Sequence, residues 1–299
     1  MKNTNKIIQN YRDGKSLTQI AKEENLSRHK ITKIIKDFGE PIVNRHNLLK
    51  FNEKFFDSID TEEKAYWFGF IYADGCIMQN TYSFELGLSI QDEGHIIKFI
   101  KDIAFTGKIY YKKNSISCCL RSKHFWTILN SYGCVPKKSL KLVFPNENIF
   151  KDKTLIRHFI RGYFDGDGCI SQYIHQTIVS PHIEVIGTKL FLQEVLKHSK
   201  CNAKFKHDNR HSENTFSLEF TKQNGIDFIN YLYQNCSIYL DRKFQKFSFF
   251  KNGSRSIQEW IEFNESKTVN VCDDNAVVNV ETKESTSPYS VEIEPAIAE

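Results

Sequence analysis

The chain has 299 residues, 40% of them hydrophobic and 13% aromatic, enough to bury a sizeable core in one large domain or in two to three smaller ones. There is no run of about 18 apolar residues, and the start, MKNTNKIIQN, lacks the apolar stretch of a secretory signal, so neither a membrane span nor export is expected. Eight cysteines without a CxxC pair point to a reduced, intracellular protein, and the net charge of +5 hides an uneven spread: residues 265–299 carry eight acids against Lys267 and Lys283, which leaves +11 on residues 1–264, the footprint of a polyanion binder.

Residues 1–40 read as a small all-α domain of three short helices. The first, NKIIQNYRDG, stops at Gly14. Ser16 is placed to cap LTQIAKEEN, whose Leu17, Ile20 and Ala21 share a face. After the Asn25-Leu26 turn, Ser27 is placed to cap a third helix, with Ile31, Ile34, Ile35 and Phe38 as its apolar stripe and Gly39 as its stop. Two capped helices joined by a turn of about three residues make a helix-turn-helix pattern. Its second helix would present Arg28, His29, Lys30, Thr32 and Lys33, suited to phosphates and base edges in a major groove. A small bundle with a solvated basic face is the alternative.

Residues 41–60 read as a linker, polar but with Phe51, Phe55 and Phe56, which call for something to pack on. From 61 to about 250 the chain reads as two copies of one α-β-β-α-β-β-α unit, near 61–150 and 151–250. In the first copy a helix from Glu62 to Ala73 enters WFGFIYADG (67–75). SFELGLSI and GKIYYKKNSISCCLRS then alternate like strands, and GHIIKFIKDIAF and KHFWTILNSYG are helical. In the second, KTLIRHFIRGYF enters IRGYFDGDG (160–168). Strands CISQYIHQTIV and HIEVIG follow, then helix KLFLQEVLKHS, strands NAKFKHD and TFSLEF, and helix GIDFINYLYQN. Each copy is small for a core of its own, so pairing the copies would bury a face neither can bury alone. Residues 251–299 read as a C-terminal segment, acidic and, from about 265, too polar to fold.

The two nine-residue stretches share one frame: apolar, any, Gly, bulky, bulky, any, small, Asp, Gly. Gly69 and Ala73 lie four apart, as do Gly162 and Gly166, and each pair shares a helix face. Two such faces let helix backbones approach closely, which would offset the roughly 1 kcal/mol that a glycine inside a helix costs. This accounts for the small residues and leaves Asp74 and Asp167. Each falls in the last turn of its helix, where the dipole disfavours a carboxylate, and side-by-side packing sets two like charges together. A divalent cation removes both problems, because carboxylates and helix-end carbonyls are the hard oxygen ligands that Mg²⁺ prefers. Two acids beside a phosphate are then placed for metal-assisted in-line hydrolysis.

On these residues the chain resembles the LAGLIDADG homing endonucleases in their single-chain, two-motif form. The resemblance covers about residues 50–250 and includes FNEKFFDSIDTEEKAYWFGF, GCVPKKSLKLVFP and YLDRKFQKF. The leading helix-turn-helix resembles those attached to some phage and mobile-element members. The resemblance implies an α+β fold in which two pseudo-symmetric units form a saddle on double-stranded DNA, with the motif helices at the pseudo-twofold. It implies a monomer that cuts both strands at a long asymmetric site with Mg²⁺ or Mn²⁺. Asp74 and Asp167 match the family's metal ligands, assisted by the backbone carbonyls of Ala73 and Gly166. Lys138 and Lys243 would sit near the scissile phosphate, with Lys137 and Arg242 leaving that assignment open by one position. Gln91 would order a water, while its counterpart Gly187-Thr188 offers no equivalent. Tyr72 departs from the acid usual at its place in the motif, which Asp165 keeps; that place concerns helix packing and capping.

DNA reading would fall to the strands: Lys108, Tyr110 and Lys112, then Gln172, Tyr173, His175 and Gln176, then Lys204 and Lys206. Alternation puts one set on the concave face. Two other functions compete: a DNA-binding regulator on an inactive scaffold, which has no use for both aspartates, and an intron maturase, against which a DNA-reading helix-turn-helix speaks.

Overall fold

The computed structural model describes residues 2–13, 15–40, 42, 51–78, 81–136, 141–207 and 214–273. The N-terminal unit consists of α1 (Lys2–Arg12), α2 (Leu17–Glu23) and α3 (Arg28–Asp37). Ser16 accepts from the Gln19 amide while the Gln19 side chain accepts from the Ser16 amide, a reciprocal capping box, and Ser27 accepts from the Lys30 amide. Ile7, Ile8, Tyr11, Ile20, Ala21, Ile31 and Ile35 form a core of their own. Phe38, expected in that stripe, is instead 48% exposed, with the Arg12 guanidinium 5.8 Å over its ring. Phe38 is the C-cap of α3, still right-handed and with its amide on the Ile34 carbonyl.

Two copies of one unit follow. The first runs α4 (Glu62–Asp74), β1 (Gly75–Met78), β2 (Ser83–Ser89), α5 (Glu93–Asp102), β3 (Ile109–Lys112), β4 (Ser115–Arg121) and α6 (Lys123–Ser131). The second runs α7 (Leu155–Asp167), β5 (Gly168–His175), β6 (Ile178–Gly187), α8 (Lys189–Ser199), β7 (Lys204–His207), β8 (Phe216–Thr221) and α9 (Lys222–Tyr233). Each copy forms an antiparallel sheet, in the orders β1-β2-β4-β3 and β5-β6-β8-β7. The result is a mixed α+β architecture with the repeated element order expected from the sequence. In both sheets alternate residues are buried under the helices, such as Phe84, Leu86 and Leu88 in β2 and Val179, Ile183 and Val185 in β6. The opposite face of each sheet is open. Phe51, Phe55, Phe56 and Ile59, ahead of α4, are buried in the same core, with Phe51 and Phe56 against Phe125 at 5.3 and 5.5 Å.

Residues 169–179, read as one strand, are a hairpin turning at Gln176, which adopts φ 52°. The second strand continues through Pro181. That proline sits between the stretch of β6 that pairs β9 (Arg255–Ser256) and the stretch that pairs β8, so no third strand calls for its missing N–H. Beyond α9 come α10 (Asp241–Phe250), β9 and α11 (Ile257–Asp273). Helix α11 enters the acidic stretch expected to stay unfolded. Trp260 and Phe263 anchor it on Phe249, at 5.3 and 4.6 Å. Residues 274–299 lie outside the described residues.

One core spans both copies, and α4 and α7 cross at its centre. A Cβ on Gly69 would overlap the Phe159 carbonyl and lie 2.9 Å from the Tyr163 amide; a Cβ on Gly162 would overlap the Tyr66 carbonyl and lie 2.8 Å from the Phe70 amide. Phe159 and Tyr163 occupy in α7 the places of Tyr66 and Phe70 in α4, so the contact repeats about a twofold. Polar groups lock the same interface. Arg161, fully buried, donates to Glu62 at 2.7 Å and to the carbonyls of Ile238 and Leu232 at 2.9 and 3.2 Å. Glu62 also accepts from the Ser237 amide at 2.7 Å. Burial alone would push the Glu62 carboxyl up, but the Ser237 amide and the Arg161 and His158 charges outweigh it and hold it low.

Candidate active site and nucleic-acid interface

Asp74 and Asp167 are the last residues of α4 and α7, and both are exposed. Close helix packing brings them together: a Cβ on Gly166 would meet Ala73 Cβ and would lie 3.2 Å from Asp74 Oδ2. The glycine after each aspartate caps its helix, Gly75 donating to Ile71 and Gly168 to Phe164. Neither cap is left-handed, with φ −68° and −96°. These glycines answer to crowding instead: a Cβ at Gly75 would lie 2.6 Å from the Ile71 carbonyl, and one at Gly168 would lie 2.6 Å from the Phe164 carbonyl and run into the Phe164 ring. Two carboxylates at two negative helix ends give a dense set of oxygen acceptors in one place. That donor set, with Ala73 and Gly166 in the same two turns, suits a hard divalent cation.

The motif position two residues earlier is structural in both halves, as expected. Asp165 is 1% exposed and accepts from the Tyr66 and Tyr233 hydroxyls and, at 2.8 Å, from the Leu240 amide at the start of α10. Burial pushes this carboxyl up, against the Lys243 charge and those hydrogen bonds. Tyr72 replaces the acid in α4 and ties its helix end by donating toward the Val143 and Tyr132 carbonyls, at 3.1 and 3.3 Å.

Lys243, expected at the scissile phosphate, is placed differently. It is 2% exposed, and its ammonium donates to the carbonyls of Phe164, Asp165 and Gly168 at 2.5, 2.8 and 2.6 Å. Those carbonyls are the C-terminal end of α7, which attracts a cation. Burial pulls this lysine down to about 8, while the charges of Asp165 and Asp74 oppose that pull. Of the two candidates, Arg242 is the exposed one, with Nε 3.1 Å from Asp92. Gln91 is exposed in the turn ahead of α5 and lines a cleft of about 220 Å³ with Arg242 and Gln245. Lys138 and Lys137 lie outside the described residues.

Strand register sorts the expected DNA-reading residues. Tyr110 and Lys112 lie opposite Ser117 and Ser115 on the open face of the first sheet, and Lys108 lies 5.4 Å over the Tyr110 ring. Arg121, unremarked in the sequence, shares this face opposite Ser83; counting alternate residues back along β4 would have found it. Lys204 and Lys206 lie on the open face of the second sheet, although Lys206 pairs with Glu219 at 2.6 Å. Tyr173 and His175 share that face opposite Ser180 and Ile178. Gln172 does not: it pairs with Pro181 in the register of buried Ile170, and Gln176 is in the turn. In α3, Arg28, His29, Lys30 and Lys33 are exposed, while Thr32 is half-buried and donates to the Arg28 carbonyl at 2.9 Å.

Among the described residues one further group of ligand-type side chains converges, Glu147, Glu194 and His198, within 4.8 Å of one another. Lys197 already pairs with both carboxylates at 3.3 and 2.7 Å, and Lys153 with Glu147 at 3.5 Å. No helix among the described residues is long and apolar enough to cross a membrane.

No family model matches the chain, and no curated protein matches it. Solved structures similar to it include the meganuclease I-SmaMI bound to uncleavable DNA, at 12% identity and TM-score 0.45, covering 62% of this chain and 87% of that one. They also include the I-LtrWI LAGLIDADG homing endonuclease bound to target DNA, at 13% identity, TM-score 0.43 and coverage of 73% and 92%. A third is the LAGLIDADG homing endonuclease I-GzeII in complex with its DNA target, at 14% identity, TM-score 0.39 and coverage of 72% and 93%. At such identities and scores the likenesses carry no residue's role over to this chain.

Proposed function

We propose that this chain is a site-specific double-strand DNA endonuclease of the LAGLIDADG homing type, hydrolysing phosphodiester bonds with Mg²⁺ or Mn²⁺. The observation that carries this reading is the pair Asp74 and Asp167, two exposed carboxylates brought together at the ends of two glycine-packed helices. At the ends of two helices, side by side, both the helix dipole and the neighbouring charge oppose a carboxylate. When bound, the cations would activate a water and stabilise the leaving oxygen.

The chain's own groups do the holding. Asp74 and Asp167, with the carbonyls of Ala73 and Gly166, bind the cations. Lys243 sets its ammonium on the carbonyls at the end of α7, behind the site. Lys138 is the remaining candidate for a phosphate contact, and Gln91 for ordering a water. Lys108, Tyr110, Lys112, Arg121 and Lys204 lie on open sheet faces suited to phosphates and bases, and the α3 cations would extend the contact. One chain supplies both carboxylates, so a monomer suffices. The two sheet faces differ in composition, which suits an asymmetric target.

The test is selection, with Mg²⁺, of cut sequences from a randomised duplex library, run beside Asp74→Asn and Asp167→Asn. Cutting at one long sequence, lost in both variants, is expected. Tight binding without cutting, unchanged in the variants, would leave a DNA-binding regulator.

A further inference from the structure

The open faces of the two sheets can be compared row by row, because β1 meets β2 in the register in which β5 meets β6. Gly75 lies opposite Leu86, and Gly168 opposite Val185. Three residues on, Met78 lies opposite Ser83, and Ser171 opposite His182. Ser83 then pairs with Arg121 in β4, and His182 with Thr221 in β8. Arg121 and Thr221 therefore hold the same place in the two halves. The first is a long, exposed cation. The second is short, and although it is the N-cap of α9 its side chain makes no bond to that helix.

The faces also differ beyond that row. Strand β1 ends at Met78, whereas β5 runs on to His175, with Tyr173 opposite Ser180 and His175 opposite Ile178. These four residues, with His182 and Thr221, line a hollow of about 490 Å³ on the open face, and Lys222 stands at its edge. Polar groups of the hollow are engaged with neighbours: Ser171 Oγ lies 3.1 Å from His182 Nδ1, and the Ser180 and Ser254 hydroxyls are 2.7 Å apart. Tyr173 and Ile178, 60% and 54% exposed, turn apolar surface outward beside the methyl of Thr221. On the base edges of a major groove the apolar group is the 5-methyl of thymine. Lys204 on the same face and Lys222 at the edge suit the phosphates on either side.

We propose that this hollow seats thymine methyl groups, so that the second half-site is read as thymine at the place where Arg121 reads guanine in the first. The inference rests on the nuclease reading in laying the open sheet faces on a DNA major groove. A guanidinium donates two parallel hydrogen bonds to O6 and N7 of guanine, which a threonine cannot span. One fold thus carries two base chemistries, set by side chains at equivalent rows.

The test takes the duplex selected from the randomised library and replaces its thymines, one at a time, by deoxyuridine, which removes the methyl and keeps the base pair. Binding and cleavage are read for the full chain, for Ile178→Ser and for Arg121→Ala; both side chains are exposed, so neither variant opens the core. Wild type is expected to lose about fourfold in affinity at each thymine read, in one half-site only, the weight of one buried methyl at about 0.8 kcal/mol. In Ile178→Ser that loss should vanish. Arg121→Ala should relax a guanine preference in the other half-site about tenfold and leave the deoxyuridine effect intact. Deoxyuridine tolerated by wild type at every thymine, or a deoxyuridine effect that Ile178→Ser keeps, would overturn the inference and leave the nuclease reading standing. So would a guanine preference unchanged in Arg121→Ala. A chain that neither cuts nor binds any sequence would overturn both.

Discussion

Lys243 and Arg242 are adjacent cations with opposite settings. The sequence offers nothing to choose between them, because the choice depends on the phase at which α10 meets the end of α7. The fold turns Lys243 inward onto three helix-end carbonyls and leaves Arg242 outside with Asp92. Lys243→Met should therefore cost about 3 kcal/mol of stability, the penalty for buried acceptors left without a donor. Arg242→Met should cost less than about 1 kcal/mol, as exposed ion pairs do. Urea titration of both variants checks this, and equal losses would contradict the placement. The same limit applies to Tyr163. Its tyrosine was visible in the motif, but not the Ile186 carbonyl that register brings within 2.8 Å of its hydroxyl.

At the scale of elements, the motif helices were the most legible part of the chain. A repeated small-residue spacing announced a close crossing, and the crossing is there, glycine against carbonyl on both sides. Gly162→Ala is expected to cost at least about 3 kcal/mol, since its Cβ would displace backbone rather than a side chain. Gly94 in α5 has nothing within 4 Å of its missing Cβ. Gly94→Ala should instead stabilise by about 0.5–1 kcal/mol through the unfolded chain. Calorimetric melting of the two variants should move in opposite directions. Strand faces were harder to read. Alternation found Tyr110 and Lys112 but could not fix the phase of β5, whose outer end passes beyond the core and is exposed on both faces, so Gln172 fell on the wrong side. The strand read from His182 begins instead at Ile178, because the sequence does not reveal which strands flank Pro181.

The described residues form two hydrophobic clusters: a small one under α1–α3 and a large one shared by both halves. Removing residues 1–42 should leave the melting of the remainder nearly unchanged while weakening DNA binding. The slope of log affinity against log salt should fall by about 0.9 for each phosphate contact removed. An unchanged slope would mean that α3 touches no DNA. The shared cluster has a further consequence for synthesis. Glu62 and Tyr66, early in α4, find their partners at Arg161, Asp165, Ser237 and, through Asp165, Leu240. The first half is thus complete in sequence by about residue 150 but cannot close its polar seam until residue 240 has been made. At about 5–20 residues per second, the ribosome takes roughly 5–20 s over that gap. For that interval Glu62 and Asp165 wait for the amides of Ser237 and Leu240, so the two motif helices can meet before the polar groups along their seam are satisfied.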